Sequence, residues 1–466
     1  MTAPPIVIVG GGLAGAKTAE SLRGWGYDGQ LLLVTEEPVR PYERPALSKS
    51  YLRGRSGFDD TAVHPEAWYA EHDVELALST RAVALDPGAR KIELEPGGTI
   101  AYERLLLATG SRPRRLTVPG ADLAGVFCLR TVADADAISA AVTPGRRLVV
   151  VGAGWIGTEV AASLRRVGLE VSLVYRSGAP LTRSLGTEIG VVFADLHAEH
   201  GVALHPDVTV TAVRGRTAVE SVELSDGTSI GADLVVVGLG AEPATELART
   251  AGLAIADGVL TGPGLATSAP DVYAAGDVAN VTHSLLSGRV RSEHWWSALT
   301  QPPVAAANML GHPACYDWIP TFTSKQYDVM VEYTGHAPRW DRIVFRGAPA
   351  SRHFTAFWIT DGKVAAGMTV GIPGLERHIR ALVAAGAGVS PAVLADPDSE
   401  LAELAATATR QKKEQSMTHD HAQDRDHPEI TEGLRQWYDA CPCCMSQALP
   451  EVKQALDEER AAAGPV

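Results

Sequence analysis

The sequence predicts an α/β protein with two doubly wound parallel sheets, because a strand, a glycine turn and a helix follow one another at two places in the chain. The first unit starts with the apolar run Ile6–Val9 and the second with Leu148–Val151. Short runs of β-branched and aliphatic residues are typical of buried parallel strands. Strand-rich stretches at 74–110 and 202–240 follow the two units. The pattern therefore predicts two α/β domains of the same kind.

The first glycine turn has the spacing GxGxxG, with its glycines at Gly10, Gly12 and Gly15. In this spacing the first glycine permits a tight turn, the second lets a pyrophosphate approach the backbone, and the third lets the helix pack on the strand. The helix that follows offers free N–H groups to the phosphates. A second strand, Leu31–Val34, leads to Glu36 and Glu37, which lie where an acid would hold a ribose hydroxyl. This unit predicts a Rossmann-like dinucleotide site.

The composition limits the class of protein. The chain has 466 residues, too many for one hydrophobic core, so two to four domains are expected. Its net charge of −14 argues against a nucleic acid as partner. No apolar run is long and charge-free enough to span a bilayer, and no signal peptide is recognisable, so we expect a cytoplasmic location and no membrane association. Five cysteines in so long a chain do not make a disulfide framework.

The second glycine turn repeats the spacing at Gly152, Gly154 and Gly157. Two such units imply two dinucleotides that meet face to face, which suits the passage of a hydride from a nicotinamide to a flavin. After the next strand the ribose-binding acid is missing, and Tyr175 and Arg176 stand in its place. An arginine there can hold a 2′-phosphate, which favours NADPH. The alternative is that Tyr175 packs under the adenine and Arg176 is solvated.

Six motifs occur in order along the chain: Gly10–Gly15, Pro41–Lys49, Ala108–Gly110, Gly152–Glu159, Ala274–Asp277 and Glu293–Trp295. This ordered set resembles the FAD-dependent pyridine nucleotide-disulfide oxidoreductases, specifically the ferredoxin reductases such as putidaredoxin and rubredoxin reductases. The resemblance covers roughly residues 5–400 and implies a fold of the glutathione-reductase type, with Rossmann-like domains for FAD and for NAD(P)H. The glutathione-reductase branch has a redox cysteine pair after its first unit. Arg40–Leu52 contains no cysteine, so no active-site disulfide is expected.

The resemblance also implies roles for individual residues. Lys49 and Glu159 are the expected catalytic residues, paired beside the flavin N5, although Glu159 is also a favourable acid near a helix N-terminus. The residues expected to contact FAD are Gly10, Gly12, Leu13, Ala14, Gly15, Glu36, Glu37, Arg44, Lys49, Ala82, Ala108, Thr109, Gly110, Arg130, Gly276, Asp277 and Trp295. The residues expected to contact NAD(P)H are Gly152, Gly154, Trp155, Ile156, Gly157, Glu159, Tyr175, Arg176 and Gly240. Asp277 is further predicted to lie at a helix start, and Trp295 to begin a helix aimed at the pyrimidine edge of the flavin.

The domains follow from the same motifs. We predict an FAD-binding domain from 1–115 and 242–320, an NAD(P)H-binding domain at 116–241, a small α+β domain at 321–406, and a linker with a cysteine-containing helical tail at 407–466. Adjacent antiparallel strands are predicted at 341–347 and 354–359. The polar segment 407–423 is predicted to be a linker.

The implied activity is the passage of a hydride from nicotinamide to flavin N5, followed by single electrons to a ferredoxin-type iron–sulfur protein that serves an oxygenase. The family usually has a tryptophan and an acid where this chain has Thr323 and Lys325. Other acceptors therefore remain open: oxygen, a nitrite system, or a thiol or metal in the tail. A redox-sensing flavoprotein is the alternative from another class. The protein is expected to be a monomer or homodimer, and three arginines are candidates for a docking patch: Arg289, Arg291 and Arg339.

The tail carries a cysteine cluster at Cys441, Cys443 and Cys444. Sulfurs so close can bind a soft metal or form a reactive disulfide. The spacing is not that of a structural zinc site. We therefore predict a thiol relay or metal clip, with incidental thiols on an exposed appendage as the alternative.

Overall fold

The computed structural model describes residues 3–286 and 288–419. The cysteine cluster of the tail, and the helices expected at 428–438 and 450–459, lie outside these residues.

The first part of the chain alternates strands and helices before it turns to short antiparallel strands. A 3₁₀ turn covers Pro45–Ser48. The other elements are β1 (Ile6–Val9), α1 (Leu13–Gly24), β2 (Leu31–Val34), α2 (Glu66–Glu71), β3 (Val74–Ala77), β4 (Arg81–Asp86), β5 (Lys91–Glu95), β6 (Gly98–Ala101), β7 (Arg104–Leu107) and β8 (Ser111–Pro113).

The second part repeats the strand, turn and helix arrangement. Its elements are β9 (Val126–Cys128), α3 (Val132–Ala141), β10 (Arg147–Val151), α4 (Trp155–Arg166), β11 (Glu170–Val174), α5 (Thr182–Leu185), α6 (Thr187–Glu199), β12 (Ala203–His205), β13 (Val210–Arg214), β14 (Ser221–Leu224), β15 (Ser229–Gly231) and β16 (Leu234–Val237).

The third part returns to the first sheet and ends in a long helix. Its elements are β17 (Ala241–Pro243), α7 (Glu246–Thr250), β18 (Val259–Thr261), β19 (Val272–Ala274), β20 (Ala279–Thr282), β21 (Arg289–Val290) and α8 (Trp295–Met309). The last part contains β22 (Thr321–Gln326), β23 (Val329–Gly335), β24 (Arg342–Ala348), β25 (His353–Thr360), β26 (Lys363–Val370), α9 (Glu376–Ala385), α10 (Pro391–Ala395) and α11 (Leu401–His419).

Two five-stranded parallel sheets form the centre of the molecule, as predicted. Their strand orders are β19-β7-β1-β2-β3 and β12-β11-β10-β16-β9. In the first sheet Ile6 lies opposite both Leu31 and Arg104, and in the second Leu148 lies opposite Val171 and Leu234. In each sheet the strand order reverses next to the strand that precedes the glycine turn, and ligands bind outside the carboxyl ends of strands at such a point.

The chain leaves the first sheet to form the second and then returns to the first. Strand β19, from the third part of the chain, pairs with β7. The first sheet is therefore built from residues that precede the second sheet in sequence and from residues that follow it. Strands β8 and β17, where the chain leaves and re-enters, pair antiparallel with Ser111 opposite Pro243. The exact domain bounds at 115/116 and 241/242 remain predictions.

The last part is the expected α+β unit. Its antiparallel sheet has the order β22-β23-β26-β25-β24, and the predicted pairing of 341–347 with 354–359 is confirmed with Val344 opposite Phe357. One face of the sheet packs on α9, α10 and α11 through residues such as Leu382. The other face packs against α5 and α6, where Trp358 and Phe193 belong to one buried cluster.

The linker predicted from residue 407 onward is wrong for its first part, because α11 continues to His419. Buried Leu401, Ala405 and Ala408 recur at three- and four-residue spacing and pack this helix on α9. The Lys412 ammonium also donates to the Ala384 carbonyl oxygen at 2.6 Å. A polar composition suggested a linker, but alanine is a strong helix former, and a narrow apolar stripe is enough to dock a helix.

His197 joins the second sheet's layer to the last part of the chain. It is fully buried on α6, and its Nε2 lies 2.9 Å from Gln326 Oε1 on β22. Burial lowers the pKa of His197 to about 4. The neutral ring is therefore the form that the folded protein accommodates.

This burial predicts a pH-dependent stability. The unfolded chain takes up a proton at His197 near pH 6.5, whereas the folded chain does so only near pH 4. The stability that His197 contributes is complete above pH 6.5 and is lost as the pH falls toward 4, by roughly 2 kcal/mol at pH 5. Denaturant unfolding at pH 7.5 and 5.0 should show a smaller loss for His197→Gln than for the parent. The exposed-site control His353→Gln should lose as much as the parent, and an equal loss in His197→Gln would contradict the assignment.

Candidate active site

A cleft of ≈ 3070 Å³ opens at the carboxyl ends of the first sheet's strands. It is bounded by the glycine turn after β1, the segment around the 3₁₀ turn, the start of α4, the start of α8, and strand β22. Every predicted FAD contact except Gly15 lines this cleft. The segments from which these residues come are far apart in the chain, and the parallel sheet brings them together.

The first glycine turn has the close packing that the sequence predicted. A Cβ on Gly15 would lie 2.0 Å from the Gly10 carbonyl oxygen, so only glycine lets α1 start so close to β1. A Cβ on Gly12 would meet no protein atom within 4 Å. No side chain caps α1, and its first turn carries no acid. Its N-terminal N–H groups therefore face the cleft without an acidic cap, as a bound pyrophosphate requires.

The two acids after β2 have different environments. The Glu36 carboxylate is largely exposed at the cleft and lies 3.8 Å from Arg81. Glu37 accepts from Arg44 at 2.8 Å and from the Tyr42 hydroxyl at 2.6 Å. Glu36 is thus available to a ribose hydroxyl, whereas Glu37 holds Arg44 in place. Arg44 also donates to the Arg130 carbonyl oxygen at 2.7 Å.

Residues on β4 and residues that directly follow β7 line another part of the cleft. Ala82 lies on β4, and Ala108, Thr109 and Gly110 follow β7 directly. The Thr109 hydroxyl donates to the Ala244 carbonyl oxygen at 2.7 Å, which fixes this loop against the returning chain.

Asp277 begins no helix, contrary to the prediction, but lies in the turn between β19 and β20. The apolar run before it ends with a reversal into another strand instead of a helix, because β20 pairs with β18. Its carboxylate accepts from Ser111 at 2.7 Å and from Arg130 at 2.8 Å. Burial alone raises the pKa of Asp277, but the charge of Arg130 and the Ser111 hydrogen bond outweigh burial and lower it. Asp277 is therefore an ionised group lining the cleft beside Gly276.

Trp295 is the first residue of α8, as predicted, and no side chain caps this helix. His294, just before it, stacks on Phe322 with ring centroids 4.1 Å apart. Burial lowers the pKa of His294 to about 4. Glu43 lies in the same cleft, and burial raises its pKa to about 7. The N-terminus of α8 is uncapped, so it presents its positive dipole end to the cleft.

The predicted ion pair between Lys49 and Glu159 is present. The Lys49 ammonium lies 2.6 Å from Glu159 Oε2, and the Glu159 side chain is 5% exposed. The same oxygen accepts from the Ser48 hydroxyl at 2.5 Å, and Oε1 accepts from Ser324 at 2.7 Å. The pair joins the segment after β2 to helix α4, which follows the second glycine turn, and both residues line the cleft.

The second glycine turn repeats the geometry of the first. A Cβ on Gly157 would lie 1.9 Å from the Gly152 carbonyl oxygen, whereas one on Gly154 would meet nothing within 4 Å. Helix α4 also starts without a side-chain cap. Trp155 and Ile156 line the cleft, and Ile156 is 46% exposed there.

The other predicted coenzyme contacts lie along the carboxyl edge of the second sheet. Tyr175 is buried in the core of that sheet and Arg176 is exposed, which is close to the alternative of a packed tyrosine and a solvated arginine. Gly240 follows β16, with open space at its Cα. Among the described residues, the lining of the cleft leaves out Gly152, Gly154, Gly157, Tyr175, Arg176 and Gly240.

The three arginines proposed for docking are not equivalent. Arg289 donates to the carbonyl oxygens of Thr261 and Asn280, and Arg291 is largely buried between Asp257 and Glu293. Arg339 is exposed, 3.7 Å from Asp361. Arg289 and Arg291 thus serve the fold more than a partner.

The cleft fits FAD on three observations of the protein itself. The first helix offers uncapped N–H groups beside an open glycine, Glu36 is available beside the β2 end, and α8 points an uncapped N-terminus at the opposite end. The sequence reasoning missed Ser48, Ser324 and Tyr42 as parts of the site. Ser48 and Tyr42 lie inside the motif Pro41–Lys49, but only the structure identifies their partners.

Two observations concern metal ions and membrane spans. Within residues 3–286 and 288–419, no three metal-binding side chains come together to hold an ion. Across the same part of the chain, no helix is long and apolar enough to cross a membrane.

Comparisons with known proteins agree with this geometry. The family of pyridine nucleotide-disulphide oxidoreductases matches residues 4–301, and the reductase C-terminal family matches residues 321–405. The ferredoxin–NAD(+) reductase component of the anthranilate 1,2-dioxygenase system of Burkholderia cepacia is 39% identical over 400 residues, which is 85% of this chain and 98% of the relative. The corresponding component of the biphenyl dioxygenase system of Paraburkholderia xenovorans is 37% identical over 86% of this chain and 98% of its own.

Solved structures give the same result. Putidaredoxin reductase in its covalent complex with putidaredoxin superposes with a TM-score of 0.84 at 33% identity, covering 88% of this chain and 99% of that one. A ferredoxin reductase from Rhodopseudomonas palustris superposes with a TM-score of 0.83 at 35% identity, over 86% of this chain and 100% of that one. The chain therefore belongs to the pyridine nucleotide-disulphide oxidoreductases, in their ferredoxin reductase branch, and is an oxidoreductase whose cofactors are FAD and NAD(P)H.

Proposed function

We propose that this chain is the reductase of an oxygenase system, taking electrons from NAD(P)H and passing them singly to a small ferredoxin-type protein. The observation that carries the proposal is the Lys49–Glu159 ion pair at the junction of the two dinucleotide sites. The relatives that act with dioxygenase systems match this chain over nearly their whole length, which supports the same division of labour here.

The residues of the chain supply position and charge. FAD, when bound, accepts a hydride and releases its electrons one at a time. Lys49 keeps a positive charge near the reacting atoms, and the buried Glu159 carboxylate holds that ammonium at a fixed place. The uncapped start of α8 favours negative charge at the other edge of the same site. Ile156 and Trp155 offer an apolar surface to the nicotinamide.

The experiment is anaerobic stopped-flow reduction of the full-length protein by NADH and by NADPH, followed by cytochrome c reduction with a dioxygenase-system ferredoxin added. We expect rapid bleaching of the flavin and a rate of cytochrome c reduction that saturates with ferredoxin. Bleaching with no response to ferredoxin would overturn the proposed acceptor. A slowly turning over protein with a long-lived charge-transfer band would favour a redox-sensing role instead.

The coenzyme preference gives a separate prediction. Tyr175 and Arg176 replace the acid that would hold a ribose 2′-hydroxyl. The Arg176 side chain is exposed directly after β11, so it is free of the core and can reach a 2′-phosphate. Replacing Arg176 by alanine should raise KM for NADPH about tenfold, as expected for the loss of one charge-assisted hydrogen bond, and leave KM for NADH within twofold. The matched control is Arg216→Ala, a change on the loop before β14. Equal changes in KM for NADPH and for NADH would show that Arg176 does not bind the 2′-phosphate.

We also propose a cytoplasmic location, because an NAD(P)H-dependent reductase needs the cell's coenzyme pool. Fractionation of the source cells should place the protein with cytoplasmic markers, and recovery with the membrane fraction would contradict the proposal.

A further inference from the structure

The Glu159 carboxylate is held by three separate parts of the chain. Ser48 and Lys49 come from the segment after β2, Glu159 itself from α4, and Ser324 from β22 in the last sheet. The three donors leave neither oxygen without a partner. Oε2 accepts from both the Ser48 hydroxyl and the Lys49 ammonium, and Oε1 accepts from the Ser324 hydroxyl.

The two faces of strand β22 have different surroundings. Ser324 and Gln326 are buried and bond to residues of α4, whereas Thr323 and Lys325 are exposed. Ser324 also lines the cleft, together with Thr323 and Lys325. Side chains alternate along a strand, so the two sets lie on opposite faces. The face that carries Ser324 therefore contacts the Glu159 carboxylate that pairs with Lys49, whereas the opposite face is exposed to solvent.

A second buried contact fixes the register of this strand. The Gln326 amide donates to the Thr158 hydroxyl at 2.9 Å, and its oxygen lies 2.9 Å from His197 Nε2. The residue before Glu159 is thus tied to the same strand by an independent hydrogen bond. This contact gives a way to separate anchoring of the strand from direct action on the carboxylate.

We infer that Ser324 is a positioning residue for hydride transfer, acting through Glu159 to keep the Lys49 ammonium in place; the inference rests on the proposed function. A carboxylate anchored at one oxygen only can rotate about its last side-chain bond, and the loss of a donor leaves a buried oxygen without a partner. Glu159 faces two charged or titratable side chains from other elements, Lys49 and His294. The loss of the Ser324 hydroxyl therefore weakens the ion pair without removing either partner.

The test compares Ser324→Ala with Ser324→Thr, which keeps the hydroxyl, and with Gln326→Leu, which breaks the neighbouring anchor. In the alanine variant we expect the limiting rate of flavin reduction to fall about fivefold while the coenzyme Kd stays within twofold. The threonine variant should recover most of the rate. Gln326→Leu should lower the unfolding temperature but leave the limiting rate within twofold of the parent.

A second measurement needs no coenzyme. The visible spectrum of the oxidised flavin in the FAD-loaded protein should change in Ser324→Ala, because the Lys49 ammonium is no longer held at one place beside the flavin, and should stay parental in Ser324→Thr. Superimposable spectra of parent and Ser324→Ala, or an equal change in Gln326→Leu, would overturn the inference. Failure of the parent to be reduced by either coenzyme would refute the proposed function and leave the spectral comparison to decide on Ser324.

Discussion

Replacing Lys49 by methionine is expected to slow the reduction of the bound flavin by NAD(P)H about a hundredfold while the protein keeps its FAD. Removal of one preorganised charge at a reacting centre typically costs two to three orders of magnitude in rate. The ammonium lies 2.6 Å from a carboxylate that is 5% exposed, so its removal also leaves a nearly buried negative charge without its cation. Methionine keeps most of the side-chain volume, so packing around the 3₁₀ turn should be preserved. Anaerobic stopped-flow absorbance at the flavin band measures the rate.

The control for this prediction is Lys91→Met, a change on the exposed face of β5 that should leave the rate within twofold. Glu159→Gln is the complementary variant, because it keeps the volume and removes the charge that fixes Lys49. We expect it to slow flavin reduction as well, by less than Lys49→Met. A Lys49→Met protein that is reduced at the parental rate would show that the ion pair serves structure alone.

Replacing Gly12 by alanine is expected to weaken FAD binding by about tenfold or more without changing the fold. A Cβ at this position meets no protein atom within 4 Å, so the free protein has room for it. The methyl group would instead occupy the space over the uncapped start of α1, where the pyrophosphate must approach the backbone. Forcing one extra methyl into a packed contact costs about 1–3 kcal/mol, which corresponds to about 5- to 150-fold in affinity.

Fluorescence titration of the apoprotein with FAD measures this affinity, and circular dichroism measures the unfolding temperature. The matched control is Gly262→Ala, since a Cβ there also meets nothing within 4 Å and the position does not line the cleft. Both variants should unfold at the parental temperature, and only Gly12→Ala should lose flavin. Parental affinity in Gly12→Ala would place the pyrophosphate elsewhere.

Local features of this fold could be predicted from sequence patterns, whereas contacts between separate segments could not. The glycine turns were predictable because their function depends on local geometry: Gly15 must approach Gly10, and Gly157 must approach Gly152, within one strand–helix unit. The start of α8 at Trp295 was implied by the resemblance to the family. The environment of Asp277 was not predicted, because whether its turn leads into a helix or a strand depends on pairing with β18, where Val259 lies opposite Ala279.

Segment 407–419 is a second place where the sequence alone predicted the wrong structure. Its charges suggested a solvated linker, and only the groove beside α9 made a helix with three buried residues favourable. Helical stability in proteins comes mainly from tertiary packing of one face, so composition alone is a weak guide to such an element.

From the order of its amino acids, the family, the two dinucleotide sites and both cofactors could be predicted, because each rests on short motifs whose chemistry is local. The partnership of Lys49 with Glu159, 110 residues apart, was implied by the resemblance to the family. The tertiary structure decided what surrounds that pair. Glu37 is engaged by Arg44, Asp277 is held by Ser111 and Arg130, and Glu159 receives Ser324 from a sheet more than 160 residues further along the chain. A buried carboxylate is stabilised by whichever donors the packed fold places around it, and no spacing in the sequence specifies those donors.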